Sequence, residues 1–247
     1  MLGDPRLRKG EPGISGMIAP HAGYLYSGPT AAAGYALVSE AKYETVVIIS
    51  PSHREVFPGV SVYPGAAYQT PLGTLAIDAE LRRQLIDTCP LVSASEAGHR
   101  EEHAIEVQLP FLQETVKEFR LLPLVIGRQS RETCFALGEA LASVLRGRAV
   151  LVVASTDLSH YHPARVAEDL DAVSIRDILA MDEERLMEDL EEGRTEACGG
   201  GPAVAALRAL KSLGAARARI VKHCTSGDVT GDRRSVVGYL SAAIFAQ

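Results

Sequence analysis

Val150-Leu-Val-Val-Ala154-Ser-Thr-Asp157-Leu-Ser-His160 is a nearly continuous apolar run that ends, within six residues, in an aspartate and a histidine. An uninterrupted β-branched run of this length suits a strand buried on both faces, the usual state in a parallel sheet covered by helices. Two other runs end the same way. Ile14–Ala19 is followed by Pro20-His21, and Thr45–Ile49 by Ser50-Pro51-Ser52-His53. Leu121–Ile126 is a further buried strand, and Ile220–Cys224 with Val236–Phe245 are expected to close the sheet. Val60–Tyr63 and Thr74–Ile77 are separated by Pro64, Gly65, Pro71 and Gly73, turn formers that suggest a hairpin or an excursion from the main sheet.

Longer helical patterns lie between the strands. Asp78 precedes Leu81, Leu85 and Ile86, with Pro90 as a stop. Glu101–Val116, Ser130–Leu145, a segment opened by Pro163, Glu183–Leu190 and a segment from Pro202 to Gly214 complete the set. The fold class expected is α/β: a largely parallel or mixed central sheet with helices on both faces. No repeat or Pro/Ser-rich linker divides residues 1–247, so one domain is expected.

Composition narrows the function. Net charge is −6, and no cluster of Lys and Arg could track a phosphate backbone, so nucleic acid is not an expected partner. The N-terminus lacks the apolar core of a secretory signal, and no apolar run reaches the ~20 residues of a membrane span. Cys89, Cys134, Cys198 and Cys224 are far apart, which suits neither a zinc ribbon nor a disulfide scaffold. A cytoplasmic protein without a membrane partner is the expectation.

Ligands of open parallel sheets bind at the carboxyl ends of the strands. If the three His-terminated strands are parallel, His21, His53 and the Asp157/His160 pair meet at one edge. A lone histidine at a strand end is usually a surface residue; three of only seven placed this way point to a shared site. Cys198 lies in Ala197-Cys-Gly-Gly-Gly201-Pro202, a glycine turn leading into a helix, and a helix N-terminus favours the thiolate that binds metals. Three consecutive glycines cost backbone entropy unless close approach or unusual torsions demand them. His99, Glu102, His103 and Glu106 fall in one segment; on a helix, His103 and Glu106 would share a face and could contact a ligand or support one, or simply form a solvated acidic turn. His162 and His223 are left as structural. No phosphate loop, H-E-x-x-H zinc helix or G-x-S-x-G nucleophile elbow occurs.

Six blocks in order carry a resemblance: Ala19-Pro-His21-Ala-Gly-Tyr24, Ser50-Pro-Ser-His53, Thr70-Pro-Leu-Gly73, Glu102-His-Ala-Ile-Glu106 with Leu109-Pro110, Ser155-Thr-Asp157-Leu-Ser-His160, and Cys198-Gly199 with Pro202. From Ile18 onward the chain resembles the Memo family, whose bacterial and archaeal members are labelled AmmeMemoRadiSam system protein B. The resemblance implies a fold similar to the class III non-haem iron extradiol dioxygenases. It implies His21, His53 and Cys198 as metal ligands, Cys198 standing where the dioxygenases have a carboxylate. It also implies His160 as the pocket acid/base with Asp157 beside it. Tyr26, His103 and Glu106 are further candidates for supporting or substrate-contacting groups. Iron or copper is the cofactor implied, ahead of zinc. A soft thiolate in the carboxylate position points away from ordinary ring cleavage. Family members usually carry an N-terminal segment with a helix before the first His motif; little of it is present here, so either the surface that segment packs against is exposed or the pocket rim differs.

Two functions compete at this stage. One is a metal-dependent oxidoreductase acting on a small molecule. The other is a non-catalytic module holding a ligand or peptide in the same cleft, which a link to radical-SAM-associated proteins would suit. A metal- or Cys-assisted hydrolase ranks below both. Oligomeric state is not legible in the sequence.

Overall fold

The computed structural model describes residues 1–246. Apolar residues in the central strands alternate between two packing faces, and that alternation builds the layers. The first strand, β1 (Ile14–Ala19), leads through His21 into α1 (Tyr24–Leu37) and then β2 (Thr45–Pro51). In β2, Val46 and Ile48 face one hydrophobic cluster while Val47 and Ile49 face the other, as the two-residue period of a strand requires. All four are fully buried, each contributing roughly 1.5–3 kcal/mol to folding.

The chain continues through β3 (Val60–Val62), β4 (Ala67–Thr70), β5 (Gly73–Ala76), α2 (Ala79–Thr88) and β6 (Val92–Ala94). Asp78 caps α2 by accepting the Leu81 N–H at 2.9 Å. Next come α3 (Gln108–Thr115), β7 (Arg120–Ile126), α4 (Arg131–Val144), β8 (Val150–Ser155) and the short β9 (His160–His162). Ser130 caps α4 through the Thr133 N–H. The last third holds α5 (Ala164–Ala180), α6 (Glu183–Glu191), α7 (Gly200–Ser212), β10 (Arg217–Thr225), the single turn α8 (Gly227–Thr230) and β11 (Val236–Phe245).

The main sheet runs β10-β11-β1-β8-β2-β7-β3-β6, with β9 attached to β11. β1, β8, β2 and β7 are mutually parallel; β10, β11 and β9 join antiparallel, and β3 is antiparallel to β7. The sheet is therefore mixed, with a parallel centre. α2, α4, α6 and α7 contribute to the cluster on one face, α1 and α3 to the cluster on the other. No helix among the described residues is long and apolar enough to cross a membrane.

Three expectations need correction. Val60–Val62 belongs to the main sheet, between β7 and β6, and does not pair with the Thr74 strand. The hairpin is instead β4 with β5, Tyr68 opposite Leu75, turned by Pro71–Gly73. The helix expected from Glu101 begins only at Gln108. The Glu102 carboxylate folds back to accept the N–H groups of His103 and Ala104, at 2.9 and 3.0 Å, holding the preceding residues in an irregular turn. His103 and Glu106 consequently do not share a helical face. Finally, α1 was not expected. It is built of small residues around Pro29, and ten of its fourteen positions are buried, so it lacks the polar stripe by which an amphipathic helix is read.

Candidate metal centre

The site forms where β1, β8 and β2, neighbours in the parallel centre, end together. His21 follows β1, His53 follows β2, and the Thr156–Ser159 loop follows β8. Cys198 arrives from the turn before α7. Its approach depends on Gly199, where a Cβ would lie 2.1 Å from the Ser155 carbonyl oxygen. Close packing, not torsion, is what that glycine serves: its φ is −107°.

Hydrogen bonds fix both imidazole tautomers. Ser155 Oγ has one proton, and it goes to the Ala104 carbonyl at 2.7 Å. The hydroxyl can then only accept from its two other neighbours, Gln108 Nε2 at 2.8 Å and His21 Nδ1 at 2.9 Å. The Gln108 amide cannot be flipped, because its NH2 also donates to the Pro20 carbonyl while its oxygen accepts from the Tyr35 hydroxyl. His21 therefore carries its hydrogen on Nδ1 and presents a bare Nε2. At His53 the partner is a carboxylate: Nδ1 lies 2.9 Å from Glu102 Oε1, and the His53 backbone N–H donates to Oε2 at 2.6 Å. Its Nε2 is likewise left free.

Cys198 Sγ lies 3.2 Å from His21 Nε2 and accepts the Asp157 backbone N–H at 3.3 Å. Donor atoms of His21, His53 and Cys198 all fall within 4.8 Å of one another, and the same holds for Asp157, His160 and Cys198. Bonds of roughly 2.0–2.3 Å around a tetrahedral ion would separate such donors by roughly 3.3–3.6 Å. The donor set thus fits a transition ion with small side-chain adjustments. Two imidazole nitrogens and one sulfur also suit copper, iron or zinc better than magnesium or calcium.

Burial dominates the electrostatics. It pushes the His21 imidazole well below its ordinary value, helped by the nearby rings of His53 and His103, so His21 is neutral. It raises the Asp157 carboxyl to about 6, against the N–H groups of His21 and Ala22 that favour the anion. Burial also raises Glu102, but the His53 ring and the backbone N–H groups of His53 and Ala104 prevail and hold it at about 2. Cys198 corrects the expectation of a helix-stabilised thiolate. Without a metal, burial and the Asp157 charge raise the thiol to about 12, outweighing its hydrogen-bond donors.

The cleft above these groups measures about 470 Å³ and is walled by His21, His53, His103, Asp157, His160 and Cys198, with the buried Tyr239 and the exposed Arg54 and Tyr161 also in its lining. The His53 and His103 rings stack with centroids 5.1 Å apart. Glu106 and Tyr26 are exposed and lie outside this lining. His162 pairs with Glu196 at 2.9 Å and His223 with the buried Asp171 at 2.9 Å, so both have structural partners. Ser155, Gln108, Arg54, Tyr161 and Tyr239 were not singled out in the sequence. Ser155 could have been, since it sits at the end of β8 inside the quoted motif.

The fold is thus a mixed α/β sheet that brings two histidines from its parallel strand ends together with a cysteine from the turn before α7, an arrangement that could hold a metal ion. The chain belongs to the Memo family: a sequence profile described as Memo-like protein matches residues 4–243. A MEMO1 family protein of Methanocaldococcus jannaschii is 41% identical over 239 residues, covering 93% of this chain and 83% of the relative. One from Methanothermobacter thermautotrophicus is 44% identical over 229 residues, covering 92% and 83%. The crystal structure of an uncharacterised protein from Escherichia coli K12 superposes with a TM-score of 0.62 at 16% identity, covering 93% of this chain and 99% of that one. At that identity the likeness is one of fold.

Proposed function

We propose that this chain is a metal-dependent oxidoreductase acting on a small molecule, with iron or copper held by His21 Nε2, His53 Nε2 and Cys198 Sγ. The observation that carries the reading is the pair of Nδ1 anchors, Ser155 for His21 and Glu102 for His53. They leave both Nε2 atoms free, that of His21 at 3.2 Å from the cysteine sulfur, as outer partners of metal-bound histidines do. The metal would supply Lewis acidity and one-electron chemistry at coordination positions that three protein ligands leave open.

The protein's own groups have the remaining work. Cys198 would lose its proton to the solvent or to a neighbouring base on binding the metal, and His21, already neutral, would have none to lose. Donor atoms of His160 and Asp157 lie within 4.8 Å of the sulfur, and these groups can hold or pass a proton to a ligand in the cleft. His103, stacked on His53, narrows the entrance. The test is oxygen uptake by iron- or copper-loaded protein with ascorbate or catechol as electron donor, against the Cys198→Ala variant as control. Uptake that depends on Cys198 and falls in His160→Gln supports the reading. Metal binding without Cys198-dependent uptake leaves the cleft as a binding module.

A further inference from the structure

With eight tyrosines and no tryptophan, this chain has tyrosine as its most easily oxidised aromatic side chain. What a tyrosine can do with an oxidant depends on where its phenol proton can go. The hydroxyls of Tyr24 and Tyr43 donate to the carbonyls of Val107 and Ile14, and that of Tyr35 to the Gln108 amide oxygen. None of these acceptors can keep a proton at neutral pH. Tyr68 differs, because its hydroxyl lies 2.6 Å from Nδ1 of His99.

The direction of that bond is fixed. His99 Nε2 lies 3.3 Å from the Ser61 carbonyl, which can only accept, so the ring hydrogen is on Nε2 and Nδ1 is bare. Burial brings the imidazole down to about 4, against the Ser61 carbonyl and Glu96, which favour the cation. The resting ring is therefore neutral and the phenol is the donor. Burial also pushes the Tyr68 phenol well above its ordinary value, so Tyr68 keeps its proton at rest. The pair is assembled from three segments: β3 supplies the Ser61 carbonyl, β4 supplies Tyr68, and His99 lies in the loop after β6. Gly98 has a φ of +71°, and a Cβ there would lie 2.6 Å from the Val125 side chain, so the turn that delivers His99 requires glycine. Tyr63 packs edge-on against Tyr68, with centroids 4.8 Å apart.

The pair also stands near the candidate metal centre. Three peptide steps separate His99 from Glu102, so their Cα atoms are at most about 11 Å apart, and Glu102 holds Nδ1 of His53. We propose that Tyr68 and His99 form a reversible one-electron donor that serves outer-sphere one-electron oxidants arising at the cleft. On oxidation the O–H bond of Tyr68 breaks, its electron passes to the oxidant and its proton moves to His99 Nδ1. The products are a neutral phenoxyl radical and an imidazolium that donates to the phenoxyl oxygen and to the Ser61 carbonyl. On return a one-electron reductant of the ascorbate type reduces the radical, and the proton goes back to the phenol because the buried ring is a weak base. This chemistry belongs to the pair alone; its service to the cleft rests on the oxidoreductase reading.

The test uses the whole metal-free chain, oxidised by flash-quench with tris(bipyridine)ruthenium(II) and hexaammineruthenium(III), then frozen and read by electron paramagnetic resonance. Wild type is expected to give a tyrosyl radical with the same yield across neutral pH, since the proton stays inside the pair. Tyr68→Phe, which removes only the hydroxyl, should lose that signal, and Tyr63→Phe should keep it. His99→Ala retains the phenol without its acceptor, so the yield should fall and become dependent on pH and buffer concentration. Added imidazole should then restore it, a rescue that a purely structural His99 would not allow. Circular dichroism confirms that each variant is folded. A wild type without a radical, an equal signal in Tyr68→Phe, or an unchanged, pH-independent yield in His99→Ala overturns the proposal. A diminished signal in His99→Ala that imidazole does not restore also overturns it. Failure of metal binding leaves this metal-free measurement unaffected, so the two readings fail separately.

Discussion

Ser155 Oγ lies 2.9 Å from Nδ1 of His21 and, with its only proton committed to the Ala104 carbonyl, determines which ring nitrogen of that histidine is bare. A hydroxyl at the end of β8 thereby sets the ligand state of an imidazole at the end of β1.

Replacing that hydroxyl tests the relationship. Ser155→Ala leaves His21 free to change tautomer and deprives Gln108 of an acceptor. Metal affinity is expected to fall about 10–100-fold, the usual range for an outer partner of a metal-bound histidine. Glu102→Gln should act similarly through His53. Competition titration against a chelator of known affinity measures both, and an unchanged affinity in either variant would show that its anchor does not matter.

Metal uptake should release protons. The metal-free Cys198 thiol is raised to about 12 while His21 is held neutral, so the sulfur must lose a proton and His21 need lose none. Between pH 7 and 9 the thiol stays protonated in the free protein, and apparent affinity should rise about tenfold per pH unit. Calorimetry in buffers of different ionisation enthalpy counts the protons. A flat pH profile would mean that the sulfur is not a ligand or is already ionised.

Gly199→Ala should damage the site without touching a donor atom. The added Cβ would meet the Ser155 carbonyl oxygen and the Cβ and Cα of Thr156, atoms that no side-chain rotation moves away. A loss of about 1–3 kcal/mol of stability is expected, as for other overpacked positions, together with weaker metal binding as Cys198 is displaced. Chemical denaturation and the same chelator competition report the two effects. Wild-type values in both would show that the turn can shift at no cost.

The loop carrying Asp157 and His160 has its own anchor in Asp171. This fully buried carboxylate accepts the Ser159 N–H at 3.1 Å and binds the His223 ring at 2.9 Å, and Gly238 leaves room for it. Asp171→Ala strands both donors and should cost about 1–3 kcal/mol or more, because a buried donor is left unpaired. Hydrogen exchange should show the 157–160 segment losing protection first. Uniform loss across the sheet would mean that Asp171 supports the core in general and not this loop.

Much of this arrangement was legible because the strands and the candidate site residues sit next to each other in the chain. His21, His53 and the Asp157–His160 segment each follow an apolar run, and parallel alignment of β1, β8 and β2 is enough to bring them together. Cys198 was legible through its glycines. α1 was not, since a helix of small buried residues shows no periodic polar face. The turn at Glu101–Val107 was misread as helix because its cause is tertiary: Glu102 is drawn back by its neighbours' N–H groups and by His53 from β2. For the same reason Gln108 carried no signal and Ser155 only its place at the end of β8, as their role exists only once separate segments meet.

The central claim is that His21, His53 and Cys198 form one metal site. Anaerobic titration of the metal-free protein with Fe(II), Cu(I) and Zn(II), in wild type and in His21→Ala, His53→Ala and Cys198→Ala, tests it most directly. The account predicts one tightly bound ion per wild-type chain, with iron or copper preferred, and loss of that binding in all three variants while each remains folded by circular dichroism. A wild type that binds no metal, or variants that bind as tightly as wild type, would contradict it.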